Sequence, residues 1–136
     1  MIQKFKKVSK NWIFHVELKS IVDNIMVPSN EFIIFDEETG VNLVVMTATP
    51  SQQLQILPGN ILFQPVKNVY YKLVITQVFA PLLSTYVVEV RLDGVLIHKE
   101  FNNDAQELTT VKVYASKGTN NLLDGITLRN YYFDSF

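Results

Sequence analysis

The sequence contains two histidines, His15 and His98, whose imidazoles could act as acid or base in catalysis. Nucleophilic catalysis would require a carboxylate and a hydroxyl beside one of them. We expect His98 to lie opposite Glu89 in a β-hairpin, with Ser84 and Ser116 as unassigned hydroxyls. A cross-strand pair of opposite charge on a wet sheet face is usually a weak stabiliser. Because no G-x-S-x-G, H-E-x-x-H or phosphate-cradling glycine motif is present, neither histidine is predicted to be catalytic.

Carboxylates offer a second chemistry, glycoside hydrolysis, which needs two acids that project into one cleft. Asp36, Glu37 and Glu38 are consecutive and are followed by a Thr-Gly pair, a composition typical of a solvated turn. Glu89 and Glu100 are expected on one wet sheet face, two rows apart on a diagonal. The sequence therefore predicts that the protein is not an enzyme, and glycan cleavage is the least favoured of three functions.

Calcium is the metal that the loops would suit, because hard cations prefer clustered oxygen ligands. Clusters of Asn and Asp occur at 102–104 and at 120–124, although both are also ordinary turn sequences. With Asp93 expected at the same end of the fold, Asp93, Asn103 and Asp104 are the predicted metal ligands. No other cofactor is expected.

Aromatic side chains beside amides, Arg and His suggest a binding surface, since glycans and proteins both use such groups. All six tyrosines lie in the C-terminal half, and two pairs are adjacent, at 70–71 and 131–132. Neighbours in a strand point to opposite faces, so one member of each pair should look outward. The predicted ligand-binding residues are Tyr71, Gln77, Tyr86, Arg91, His98, Arg129 and Tyr131.

The elements that must position these residues are β-strands, because apolar and polar residues alternate with period 2 along nearly the whole chain. About ten strands are predicted, with turn signals roughly every 8 to 12 residues, as in antiparallel sandwiches and barrels. A short helical pattern at 21–27 ends at Pro28. We expect one β-sandwich domain that spans residues 1–136.

The segment 85–101 predicts a hairpin with Asp93 and Gly94 at the centre of a two-residue turn. In that register Leu92 faces Val95, and Glu89 faces His98. Glu89, Arg91, Leu96, His98 and Glu100 then share the wet face. Gly94 is expected to be the most sensitive position, because a side chain there must accept a positive φ at a cost of about 1 kcal/mol.

Composition limits the function further. The chain has 136 residues, 48% of them hydrophobic and 18% charged, with a net charge of −1 and no cysteine. It is long enough to bury a core without a metal or disulfide. The charge balance argues against a nucleic-acid partner, the lack of cysteine excludes thiolate chemistry, and no segment is apolar enough for a membrane span. No signal peptide is recognised in this chain.

The order of the segments "VSKNWIFHVELK", "VYYKLVITQ", "YVVEVRLDGVLIHKEFNN", "VKVYAS" and "GITLRNYYF" resembles laminin G-like and concanavalin A-like lectin sandwiches. The resemblance implies an antiparallel two-sheet jelly roll in an extracellular or cell-surface protein. It extends over residues 10–133 and is clearest from Tyr70 onward. The cysteines common in such modules, the galectin sugar motif and the calcium–manganese ligands of legume lectins are absent.

Together these patterns predict a non-enzymatic recognition module that binds a glycan or a protein through a strand face and rim loops. The alternative is a self-associating structural or adhesion domain, a homo-oligomer that pairs through edge strands and the apolar loop 79–84. A glycan-cleaving enzyme is the third hypothesis.

Overall fold

The computed structural model describes residues 3–20, 31–49, 53–114 and 126–136, and all regular structure within these ranges is β-strand. The pattern at 21–27 lies outside the described residues. No helix of the described chain is long and apolar enough to cross a membrane. The strands are β1 (Gln3–Phe5), β2 (Trp12–Ser20), β3 (Glu31–Asp36), β4 (Asn42–Ala48), β5 (Leu54–Leu57), β6 (Ile61–Phe63), β7 (Tyr70–Ala80), β8 (Thr85–Leu92), β9 (Val95–Asn102), β10 (Val111–Tyr114) and β11 (Ile126–Ser135).

The strands form two antiparallel sheets that pack face to face. One sheet has the order β1-β10-β3-β4-β5-β6 and the other has the order β11-β2-β7-β8-β9. Every ladder between named strands is antiparallel, from the hairpins to the long-range pairs β1–β10 and β2–β11. The predicted all-β, two-sheet sandwich is confirmed.

The core lies between the sheets because each central strand buries alternate residues. In β2 every second side chain is buried, while the residues between them are partly exposed. Phe14 of β2 stacks on Phe32 of β3 with ring centroids 5.5 Å apart, which joins the two sheets. Burial of each such side chain contributes about 1.5–3 kcal/mol. The alternation of apolar and polar residues therefore sets which face of each strand points inward, and the buried apolar residues hold the two sheets together.

The hairpin of β8 and β9 differs from its predicted register by one residue. Asp93 and Gly94 have φ of 51° and 81°, as the expected turn requires, and Leu92 pairs with Val95. A bulge at Ile97 then shifts the ladder, so that Val90 pairs with His98 and Glu89 with Lys99. A one-residue shift moves every later side chain to the other face. His98 and Glu100 consequently lie on the inner face of the sheet, and the prediction that they share the wet face with Glu89 is wrong.

The acidic turn after β3 is anchored by a buried carboxylate. Asp36 is 1% exposed, and its two oxygens accept hydrogen bonds from the backbone N–H and hydroxyl groups of Thr39 and Thr110 at 2.7–2.9 Å. Burial raises the pKa of Asp36, but these four hydrogen bonds outweigh it and lower the pKa to about 2. The predicted turn is present, but its first acid is buried and joins the β3–β4 turn to the segment before β10.

Candidate functional site

A cleft opens between the sheets at the β9 edge. Its volume is about 290 Å³, near the lower limit for small-molecule sites. Strands β2, β7, β8 and β9 form one wall, and the start of β4 with the β5–β6 turn forms the other. The aromatic and polar side chains that line the cleft include Trp12, Asn42, Gln77, Glu100 and Asn102. The cleft therefore combines an aromatic ring, amides and a carboxylate.

Gln77 and Asn102 hold one side of the cleft in place through their amides. Gln77 is 4% exposed, donates to the carbonyl of Lys10 at 2.7 Å and accepts from Asn102 Nδ2 at 3.0 Å. Asn102 Oδ1 accepts from the backbone N–H of Asp104 at 3.0 Å. A buried amide needs such partners, and the chain of bonds orients both side chains.

Trp12 brings a hydrogen-bond donor without an acceptor to the cleft. The residue is 2% exposed, and its indole Nε1 is buried with no hydrogen-bond partner among the described residues. A buried donor without a partner costs about 1–3 kcal/mol. Trp12 is also the sole tryptophan of the chain, so its fluorescence reports on this cleft.

Glu100 and His98 form a carboxylate–imidazole pair at the edge of the cleft. His98 Nε2 lies 3.1 Å from Glu100 Oε1, and the two side chains are 28% and 44% exposed. They are near each other because both follow the bulge in β9 on the same face. An imidazole and a carboxyl at this distance can share or exchange a proton.

The β5–β6 turn packs against His98 from the opposite sheet. A Cβ at Gly59 would lie 2.7 Å from ring carbons Cγ and Cδ2 of His98. Gly59 also has a φ of 102°, which L side chains rarely adopt. Glycine at this position therefore lets the turn approach the imidazole closely and fix its place.

Replacement of Gly59 tests that close approach. Gly59→Ala is expected to cost about 3 kcal/mol, because it adds backbone strain and a clash with His98. Gly94→Ala is the control: Gly94 has a φ of 81°, but nothing lies within 4 Å of the added carbon, so a cost of about 1 kcal/mol is expected. Urea unfolding measures both. Equal costs would contradict the close packing of Gly59 on His98. We therefore expect substitution at Gly59 to be more destabilising than substitution at Gly94, which the sequence alone identifies as the most sensitive position.

The seven predicted ligand-binding residues separate into three groups, of which the first lies at or near the cleft. In this first group Gln77 lines the cleft, His98 adjoins it through Glu100, and Tyr86 lies on the same inner face of the sheet. Sequence reasoning missed Trp12 and Asn42 as cleft residues, and it placed Glu100 on the wrong face. Trp12 could have been recognised as a cleft residue because it is the first inward-facing residue of β2 and therefore lies at the end of the buried face.

Tyr71 and Tyr131 pack inward, contrary to their assignment to a ligand surface. The Tyr71 ring contacts Phe63 edge-on with centroids 5.6 Å apart, and its hydroxyl accepts from the backbone N–H of Val66 at 2.9 Å. Tyr131 lies 5.9 Å from Phe14 and 6.0 Å from Phe32, and burial raises its pKa to about 12. The outward members of the two pairs are Tyr70 and Tyr132.

Arg91 and Arg129 lie on the outer face, away from the cleft. Arg91 donates to Glu89 at 2.8 Å. Arg129 lies over the Tyr70 ring at 3.3 Å and pairs with Glu17 at 2.5 Å. Hydrogen bonding to Glu17 raises the pKa of Arg129, and the same bond lowers the pKa of Glu17. The Arg91–Glu89 contact lies within β8, the Arg129 contacts cross strands, and both are on a solvated face. The two arginines therefore do not join Gln77 and His98 in one surface.

The predicted metal ligands do not lie together. Asp93 precedes β9, and its Oδ1 accepts from the backbone N–H of Lys72 at 2.8 Å. Asn103 and Asp104 follow β9, so the eight residues of that strand, about 25 Å, separate them from Asp93. The expectation of a shared end is wrong. Among the described residues no cluster of three or more His, Asp or Glu is placed to hold a metal ion.

Asp104 instead lines a small recess that continues the cleft. The recess shares Val41, Leu43, Gln77 and Asn102 with the cleft and has a volume of about 40 Å³. Two carboxylates, Glu100 and Asp104, therefore lie at one end of the sandwich, on either side of Asn102.

Comparison with known proteins gives one similar solved structure. The catalytic domain of a glycoside hydrolase family 131 protein from Coprinopsis cinerea is 13% identical, with a TM-score of 0.46. The match covers 94% of this chain and 57% of that one, so this chain spans little more than half of that domain. No family model and no curated protein matches the sequence.

The expectation of a non-enzymatic recognition module is corrected here. The similar solved structure is a catalytic domain, whereas the sequence predicts a protein that is not an enzyme. The register of β9 also changes the expectation for Glu100, which the sequence assigns to the wet face and which instead lies in the cleft beside His98.

Proposed function

We propose that the protein is a glycan-cleaving enzyme and that the cleft between the sheets is its active site. The observation that carries the proposal is the position of Glu100: a carboxylate in the cleft, 3.1 Å from an imidazole nitrogen and beside the amide of Asn102. Amide and carboxylate groups bind sugar hydroxyls.

Glu100 acts as the general acid in this mechanism. Its protonated carboxyl donates the proton to the glycosidic oxygen, and the bond from that oxygen to the anomeric carbon breaks. A water molecule adds to the anomeric carbon and releases a proton to the second carboxylate. The products are one sugar chain with a new hydroxyl and one with a new reducing end. His98 holds Glu100 by the 3.1 Å contact. The second carboxylate then releases to solvent the proton that it took from the water, and Glu100 takes up a proton from solvent before the next cycle.

Asp104 is the second carboxylate of this proposal. It lies in the recess that continues the cleft, and its backbone N–H donates to Asn102, which in turn donates to Gln77. Asp104 would take the proton of the attacking water. Asp104→Asn should therefore lower kcat while the unfolding transition stays in place.

The test of the proposal is a hydrolysis screen. Purified protein is incubated with soluble β-glucan, xylan, mannan, pectin and chitosan, and new reducing ends are counted over time. Release of reducing ends from at least one polymer, lost in Glu100→Gln, would support the proposal. Turnover that is unchanged in Glu100→Gln, or no release of reducing ends from any of these polymers, would overturn it.

We also infer that the sandwich is a relative of the laminin G-like and concanavalin A-like lectins and that the protein works outside the cell. The two antiparallel sheets support the first inference. The second would follow from a cell-wall or matrix polysaccharide as the substrate, the class from which the polymers of the hydrolysis screen are taken. Detection of the protein in the culture medium of the organism that produces it naturally would support the extracellular location.

A further inference from the structure

Two aromatic rings lie beside the cleft without a role in it. Phe79 and Tyr86 pair across β7 and β8, and their ring centroids are 5.2 Å apart. Phe79 is 42% exposed, and Tyr86 is partly exposed. Lys10 Nζ lies 5.9 Å from the centre of the Tyr86 ring. Exposed aromatic area beside a polar cleft is the kind of surface that binds a ligand.

The strand register places these rings on the face that bears Glu100. Gln77 pairs with Val88 and Val88 with Glu100, which makes one row of side chains across the sheet. Two residues further along each strand, Phe79 pairs with Tyr86 and Tyr86 with Asn102, which makes the next row. Since side chains on one face recur every second residue, both rows point inward. Asn102 lines the cleft and belongs to the aromatic row, so the two surfaces are continuous.

The strand register places the two rings beyond the sugar nearest Glu100. Two residues along a strand span about 6.6–6.8 Å and neighbouring strands lie about 4.7–4.9 Å apart, so Tyr86 on β8 and Phe79 on β7 are displaced from Glu100 on β9 by roughly 8 Å and 12 Å. A glycan with one sugar next to Glu100 would thus bring a later unit, and not the immediately following one, over Tyr86 and Phe79. The apolar face of that sugar would stack on a ring while its hydroxyls meet Asn102 and Lys10.

We propose that Phe79 and Tyr86 form an aromatic platform for a sugar beyond the two units nearest Glu100. This inference rests on the proposed function and specifies its substrate class: an extended glycan of several units, not a single glycoside or a disaccharide. The platform contributes to binding and takes no part in proton transfer.

The experiment is a binding titration that does not depend on turnover. Glu100→Gln protein is titrated calorimetrically with hexamers and dimers of cello-, xylo-, manno- and chito-oligosaccharides. The best hexamer is expected to bind more tightly than its dimer. Tyr86→Ala or Phe79→Ala in the same background should weaken hexamer binding about 5- to 10-fold and leave dimer binding unchanged. Tyr132→Ala is the matched control, because Tyr132 is a 50% exposed aromatic that pairs with His15 and lies away from the cleft.

The outcomes separate this inference from the proposed function. Equal binding of hexamer and dimer, absence of oligosaccharide binding, or the same loss in Tyr132→Ala would overturn the platform. Hydrolysis by the unmutated protein with length-independent binding would preserve the function and remove the platform. Length-dependent binding lost in both platform variants, without hydrolysis by the unmutated protein, would support the platform and remove the enzymatic proposal. Thermal melts identify any variant whose fold has failed, and the second platform variant then decides.

Discussion

Replacement of Glu100 by Gln is expected to lower kcat for glycan hydrolysis about 10³-fold, the size of a general-acid contribution. The amide keeps the shape of the side chain and the contact with His98 but has no acidic proton to give to the leaving oxygen. Binding of the glycan should survive, since the cleft retains Trp12, Gln77 and Asn102. KM should consequently change little while kcat collapses. Initial rates over a range of polymer concentration provide both constants.

Glu89 supplies a matched control on the same hairpin. It lies on the adjacent strand, pairs with Lys99 and forms an ion pair with Arg91 on the outer face. Glu89→Gln makes the same chemical change about one strand away and should leave kcat within a factor of two. A large loss in Glu89→Gln, or full activity in Glu100→Gln, would contradict both the register of β9 and the assignment of the acid.

Removal of the Asp36 carboxylate is expected to be the most destabilising single change among those considered. Asp36→Ala leaves the backbone N–H groups of Thr39 and Thr110 without acceptors in a site where the carboxylate is 1% exposed. Unpaired buried donors cost about 1–3 kcal/mol each, so the loss should be about 3–4 kcal/mol, with a fall in Tm of about 10 °C. Urea and thermal unfolding measure it. Glu37→Ala, the next residue, removes an exposed acid that pairs with Lys112 and should leave the transition nearly unchanged.

The same carboxylate should make stability depend on pH at the acid end. The folded pKa of Asp36 is about 2, below its ordinary value of 3.8. A lowered folded pKa stabilises the protein above the unfolded pKa, and this contribution is lost as the pH falls from about 4 toward 2. It is worth about 2 kcal/mol for a shift of this size. The difference in stability between the unmutated protein and Asp36→Ala should therefore shrink by about that amount between pH 5 and pH 2. A difference that is constant with pH would contradict the lowered pKa.

The hairpin shows how much of this site the sequence predicts. The Asp93-Gly94 turn and the pairing of Leu92 with Val95 follow from local turn chemistry. The bulge does not, because Val95, Leu96 and Ile97 are all apolar and the alternation that would define the register is lost over these three residues. The shift occurs within this run, and every later residue changes face. Glu100 and His98 were therefore recognised as chemical groups but assigned to the wrong surface.

The tyrosine pairs show a missed signal of a different kind. Alternation predicts that Tyr70 and Tyr71 face opposite ways, but two identical neighbours do not say which one is buried. Further along β7 the pattern decides, because Lys72 shares a face with Tyr70 while Leu73 shares one with Tyr71. The same reasoning would have placed Gln77 inward with Leu73. Its burial in a polar network depends on Asn102 and Lys10, which are distant in sequence, and so could not have been read from β7 alone.

The bulge in β9 has a consequence for solubility. β9 is an edge strand with Val95, Leu96 and Ile97 exposed, a composition that invites another chain to extend the sheet and begin aggregation. The extra residue at Ile97 breaks the even spacing of the free N–H and C=O groups, and Lys99 adds a charge two residues later. An incoming strand would find no continuous ladder to follow. The irregularity that brings Glu100 into the cleft thus also works against edge-to-edge aggregation.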